Sequence, residues 1–247
     1  MRRYLLSLLT AVSMTAMMQA AEVPAKIKVL LISGDDASPS HNWREMGGAT
    51  REVLLNSGKF DVKLCEDAAI LESASALKRY DLVFLTAYNA TTPTLTDEAK
   101  QNLLNFVKSG KGFAVSHLAS ASFKEWDEFK KLCGRYWVMG TSGHAAGLNP
   151  FKVKITAKDH PIMKGMADFE TADELYAKLQ GDAPIQVLAT ADSDWSHKTE
   201  PLVFTLTYGQ GRVFHETFGH NGKAIRNPEV AKIIVQGCAW AATGKVE

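Results

Sequence analysis

Gly110-Lys-Gly-Phe-Ala-Val-Ser-His117 decides how this chain is read. A glycine-bracketed start leads into a short apolar run. The run stops at a histidine followed by Leu118-Ala-Ser-Ala121, mostly small residues. Continuous apolar runs of this length suit strands covered on both faces, the kind found in parallel sheets. In open α/β folds, ligands bind outside the C-terminal ends of such strands. The stretch therefore predicts a buried strand that delivers the His117 imidazole to that edge.

Upstream, Lys26–Ser33 reads as another buried strand and Tyr80–Thr86 as a third, while Phe60–Cys65 alternates and suits a place near the sheet edge. A helix is predicted from Asn42 to Asn56, ended by Gly58. A second starts at a Thr96 cap, with Asp97 and Glu98 favoured by the positive end of the helix dipole, and stops at Gly110. Ser122-Phe-Lys-Glu125 reads as a capping box opening a helix that ends at Gly134. This βαβαβαβα order predicts an α/β fold with a doubly wound parallel sheet and right-handed crossovers.

The second half changes character. A glycine-rich loop, Gly140–Gly147, precedes Phe151–Thr156, which alternates with period two. Asp159-His-Pro-Ile162 is a turn, and Glu170–Leu179 is mixed. Three runs follow, Ile185–Thr190, Leu202–Thr207 and Arg212–Thr217, the last two joined by the hairpin signal Tyr208-Gly-Gln-Gly211. They predict an antiparallel extension of the sheet. Asn227-Pro228 then opens a closing helix with Val230, Ile233, Ile234, Gly237 and Ala241 on one face.

The 247 residues are 46% hydrophobic and 22% charged, ordinary for a globular chain. With 28 Lys+Arg against 27 Asp+Glu and no basic stripe, nucleic acid is not an expected partner. Residues 1–21 read as a signal peptide: Arg2 and Arg3, an apolar stretch from Tyr4 to Met18, then Ala20 and Ala21. The apolar stretch is shorter than the ~20 residues a spanning helix needs, so no stable membrane span is expected after its removal. Export to a bacterial periplasm or beyond follows, with one domain over 22–247. Cys65, Cys133 and Cys238 lack zinc-cluster spacing and read as small buried side chains.

Parallel strands point the same way, so the loops after the first, third and fourth share one rim. That rim should receive His41, then Tyr88 and Asn89, then His117. His220, after Val213–Phe218, joins them if that strand is parallel to the first ones. His144 lies in the glycine-rich loop. Asp173-Glu-Leu-Tyr176 is the best acidic group, and Glu174 could orient an imidazole, ligate a metal or act as acid or base. His160 reads as a turn residue, His197 as surface and His215 as a buried, hydrogen-bonded histidine. No Gly-x-Ser-x-Gly elbow and no local metal motif is present.

Taken in order, Val29-Leu-Leu-Ile-Ser-Gly34 with His41, Tyr80-Asp-Leu-Val83, Gly110–His117, Asp159-His-Pro-Ile162, Asp173-Glu-Leu-Tyr176, and Tyr208–Phe214 with Gly219-His220 resemble the ThuA-like (trehalose utilisation) family over essentially all of the chain after the leader. The resemblance implies a flavodoxin-like sheet of the class I glutamine amidotransferase superfamily. It places His117 where amidotransferases carry a cysteine nucleophile, which excludes thiolate glutamine hydrolysis. It also implies sugar chemistry, often involving keto-sugars, and a divalent metal such as Zn or Mn in the histidine crest. No nucleotide cofactor is expected.

Two functions follow. The first is an exported enzyme, hydrolase or lyase, acting on a small carbohydrate such as a 3-keto-glycoside. His41, His117, His220 and Glu174 would be catalytic, the three histidines holding the metal. Tyr88, Asn89, Trp43, His144 and Trp137 would bind the sugar. The second is a non-catalytic sugar-binding or assembly module on the same fold. A homo-oligomer is compatible with either.

Overall fold

The computed structural model describes residues 25–34, 41–86, 88 and 95–246. The leader, the loop between Gly34 and His41, and Asn89 lie outside the described residues.

In chain order the elements are β1 (Ile27–Ile32), α1 (Trp43–Asn56), β2 (Phe60–Cys65), α2 (Ala74–Leu77), β3 (Leu82–Leu85), α3 (Asp97–Lys108), β4 (Gly112–Ser116), α4 (Asp127–Cys133), β5 (Asn149–Ile155), β6 (Phe169–Asp173), β7 (Gln186–Ser193), β8 (Lys198–Tyr208), β9 (Gly211–Glu216), α5 (Gly222–Ile225) and α6 (Pro228–Thr243). The nine strands form one sheet in the order β2-β1-β3-β4-β9-β8-β7-β5-β6. Strands β2, β1, β3, β4 and β9 run parallel. The rest continue antiparallel, as the change of pattern after Gly140 predicts. Alternating β2 lies at the edge.

The central strands are apolar on both sides because both sides are covered. Met46 and Leu54 of α1 pack with Val230, Ile233 and Ile234 of α6 against Val29, Leu31, Phe84 and Phe214. On the opposite face, Leu103, Phe106 and Val107 of α3 meet Leu30, Val83 and Phe113. Burying each such side chain contributes about 1.5–3 kcal/mol. Gly112 admits α6 closely, since a Cβ there would lie 2.7 Å from the Ala241 backbone. Thr96 and Asn227 cap their helices through their side chains, as expected, and Asn42 does the same for α1.

Two expectations fail. Ser122-Phe-Lys-Glu125 is not a capping box. Phe123 takes φ 50, outside the helical region, and α4 starts only at Asp127, after a Trp126 N-cap that makes no side-chain cap bond. Burial explains the choice: the Phe123 ring packs edge-on to Phe129 at 5.0 Å and near Trp126 at 6.0 Å. Cys133 and Cys238 are buried, but Cys65 is only partly so, at the exposed edge strand. All three are free thiols.

Candidate metal and carbohydrate site

Strand β4 ends at Ser116, and His117 enters the left-handed region at φ 49. A non-glycine residue there stores roughly 1–3 kcal/mol of strain, a feature that clusters at functional sites. The strain stops the strand abruptly and opens a 3-10 turn over His117–Ala121, in which the Ser120 hydroxyl donates to the His117 carbonyl at 2.9 Å. The His117 side chain is fully buried. Its Nδ1 lies 2.8 Å from the Thr217 carbonyl, one residue beyond the Ser116–Glu216 pair of the β4–β9 ladder. A carbonyl only accepts, so Nδ1 carries the proton and Nε2 presents its lone pair. Metal-ligating histidines are commonly held this way, with one ring nitrogen donating to a carbonyl and the other turned toward the ion.

Three groups crowd that lone pair. His41 Nε2 lies at 3.1 Å, the Tyr176 hydroxyl at 2.9 Å and Glu174 Oε2 at 3.3 Å. The other oxygen of Glu174 is 3.0 Å from His220 Nδ1 and 3.4 Å from His144 Nε2. One ligand atom each from His41, His117, Glu174 and His220 lies within 4.8 Å of the others. Parallel β9 carries His220 to the rim, meeting the condition set by the sequence.

The donor set fits a divalent cation. Three imidazoles with one carboxylate suit zinc and similar first-row ions. Glu174 Oε2 and His220 Nδ1 are buried without a hydrogen-bond partner among the described residues, although both lie against polar atoms. Buried polar groups left in that state call for a proton or a cation between them.

The electrostatics agree. Burial alone would raise the Glu174 pKa. Pairing with His117, His220 and His41 outweighs it and holds the carboxyl far below the usual range. Pairing with Glu174 raises His220 against the effect of burial. Burial, aided by the neighbouring imidazoles, lowers His41 despite Glu174. A cation must therefore displace the proton that His220 holds above its ordinary value near 6.5. Zinc affinity should fall about tenfold per pH unit below that range and level off above it. Calorimetry in buffers of different ionisation heat should show about one proton released per zinc near pH 6.5. Proton-free uptake would contradict the pairing.

Residues not singled out as site members from the sequence complete the frame. Asp173 is buried, and its carboxylate accepts from the backbone N–H of Gly219 (2.7 Å), His220 (3.1 Å) and Glu174 (2.9 Å). It ties the His220 turn to the end of β6, next to Glu174. Tyr176 is also buried, and burial followed by repulsion from Glu174 and Asp173 raises its phenol well above 10, so the hydroxyl stays protonated. Its signal was its place two residues after Glu174, and both side chains meet His117.

Of the expected sugar-binding residues, His144 and Trp137 reach the site: their rings lie 6.0 and 4.4 Å from Tyr176. Tyr88 packs with Trp137 against Leu118 and Ala121 beside the His117 turn. Trp43 turns its ring under the Arg44 guanidinium, 4.1 Å away. His160, His197 and His215 take their expected roles: a turn acceptor for Ile162 N–H, an exposed loop residue, and a buried partner of the Cys133 carbonyl.

A profile of the ThuA family, described as trehalose utilisation, matches residues 28–241. The chain belongs to the ThuA family. A ThuA-like protein from Parabacteroides merdae is 29% identical, with a TM-score of 0.78 over 90% of this chain and 92% of its own. Another, from Bacteroides uniformis, is 18% identical, with a TM-score of 0.72 over 92% and 98%. A Salmonella typhimurium protein whose name describes it as cytoplasmic shares the fold at 16% identity, with a TM-score of 0.66 over 88% and 100%. No curated protein matches the chain. These proteins share the flavodoxin-like α/β sheet, and the family description ties this chain to carbohydrate use.

Proposed function

We propose that this ThuA-family chain is an exported enzyme that cleaves a 3-keto-glycoside, as a lyase or hydrolase. The observation that carries the reading is the convergence of His41, His117, Glu174 and His220, with Tyr176 and His144 beside them. Zinc or manganese held by those four residues would act as a Lewis acid on a sugar carbonyl.

The remaining roles belong to the side chains. His144 donates from Nδ1 to the Ala145 carbonyl at 2.7 Å, so the lone pair that can take a proton is on Nε2, 3.4 Å from Glu174 Oε1. A 3-keto group acidifies the C2–H. His144 Nε2 takes that proton, the C2 electron pair becomes a C1=C2 bond, and the C1–O bond breaks. The departing oxygen takes the proton back from His144. Water added to the unsaturated sugar would complete a net hydrolysis. With the His117 lone pair turned to the ion, the Tyr176 hydroxyl would be released from it to donate to the carbonyl oxygen as negative charge grows there. The Tyr88–Trp137 wall offers the sugar an apolar face.

Purified protein should convert a 3-keto-glucoside to the free aglycone and an unsaturated or hydrated keto-sugar, as seen by NMR. Chelation should abolish turnover, and zinc or manganese should restore it. Tyr176→Phe should lower kcat about 100-fold while metal affinity stays within about twofold. A 3-keto-glucoside left intact with either metal present would sink the reading and favour a non-catalytic sugar-binding module.

A further inference from the structure

The large apolar side chains that the described residues leave exposed are Met139, Leu148 and Trp195. Two of them flank the Gly140–Gly147 loop that carries His144. The third lies on it. Trp195, at the tip of the β7–β8 hairpin, is 38% exposed. Its indole is seated on Gly143, where any Cβ would collide with the ring. Gly143 forms a two-way backbone bridge to Ala177, with N–H donations of 3.1 and 2.8 Å. The immediate neighbours of that bridge are His144 and Tyr176. The indole is thus mounted on the backbone that positions two residues of the site.

The mounting is built in. Lys178 holds φ 56, a conformation costly for a residue other than glycine. Its carbonyl accepts from the Ser142 hydroxyl at 2.9 Å and from the Gln180 amide at 2.6 Å, which pin the turn. Its ammonium lies 4.5 Å from the Trp195 ring centroid. An exposed indole with a cation over it joins an apolar plate to a hydrogen-bond donor. Sugar rings present the matching surface, axial C–H groups ringed by hydroxyls. A lone exposed tryptophan needs no explanation, but one seated on a residue with no room for a methyl, beside a strained lysine, does.

We propose that Trp195 and Lys178 form a second sugar position, which receives the ring on the far side of the scissile bond. The substrate class is then a disaccharide or longer glycoside rather than a simple alkyl glycoside. This inference rests on the reading of the site as a 3-keto-glycoside-cleaving centre.

The test compares kcat/KM of the metal-loaded protein for the 3-keto form of a glucose disaccharide and for methyl 3-keto-glucoside. Trp195→Ala should lower the disaccharide-to-methyl ratio about tenfold, mainly through KM for the disaccharide. Gly143→Ala, which displaces the indole without removing it, should lower the same ratio. Trp195→Phe should restore part of it. A ratio unchanged in Trp195→Ala, with the melting midpoint also unchanged, would overturn the second position and leave the proposed reaction standing. A wild-type protein that turns over neither sugar would overturn the proposed reaction, and this inference with it.

Discussion

Glu174→Gln should weaken zinc or manganese uptake roughly 10³-fold, read by competition with a chromophoric chelator. Glutamine keeps the shape but removes the negative charge at the centre of the cluster. Each Glu174 oxygen serves two imidazoles, with Oε2 3.3 Å from His117 and 3.6 Å from His41, and Oε1 3.0 Å from His220 and 3.4 Å from His144. Without the carboxylate, a divalent ion would face three neutral donors. His220 would lose the partner that raises its pKa, so its imidazole NMR titration should move to lower pH in the metal-free variant. Metal affinity that survives the substitution would mean that the ion binds elsewhere and that the cluster is a hydrogen-bonded polar core.

Glu216→Gln should stabilise the protein by about 2–4 kcal/mol at pH 7.5, a gain that vanishes near pH 4.5. Glu216 ends β9 fully buried, and burial, with Asp173 adding repulsion, pushes its pKa up to about 8. Folding therefore favours the neutral acid. The stability this group contributes is intact below its unfolded pKa of about 4.5 and is lost as pH rises toward 8. The loss runs at about 1.4 kcal/mol per pH unit over that window. Glutamine mimics the neutral acid and never ionises. Its carbonyl can still accept the Phe218 N–H, which the carboxyl takes at 2.8 Å. Urea unfolding of both proteins from pH 4.5 to 8.5 checks this. Parallel stability curves would contradict it.

Much of this was legible from the chain alone. The continuous run to His117, the alternation of β2 and the Asn227-Pro228 start report burial and capping that short segments satisfy by themselves. Parallel topology then sends His41, His117 and His220 to one rim with no local motif among them. Glu174 was readable as an acid but not as the hub. It directly follows β6, the outermost strand of the sheet, and only the segment after that strand returns to pair Ala177 with Gly143 and Gln180 with Tyr136. Asp173 and Tyr176 were hidden for the same reason. Phe123 misled because Ser-x-x-Glu spacing is local, whereas the pull of the Phe129 pocket on its ring is not.

The Nδ1–H of His117 is satisfied by Thr217, a partner one hundred residues away. The proton that aims this imidazole is thus placed by completion of the sheet, because β4 must lie beside β9 before that carbonyl arrives. The cluster itself draws on residues from 41 to 220. A chain lacking β9 would lack both His220 and the bond that sets the His117 tautomer. Cation uptake in this family member would then act as a certificate of finished folding. The ion would bind the native state almost alone, adding about 2.7 kcal/mol at a free concentration one hundred times its Kd. The same chemistry that serves a sugar would keep the two halves of the sheet together.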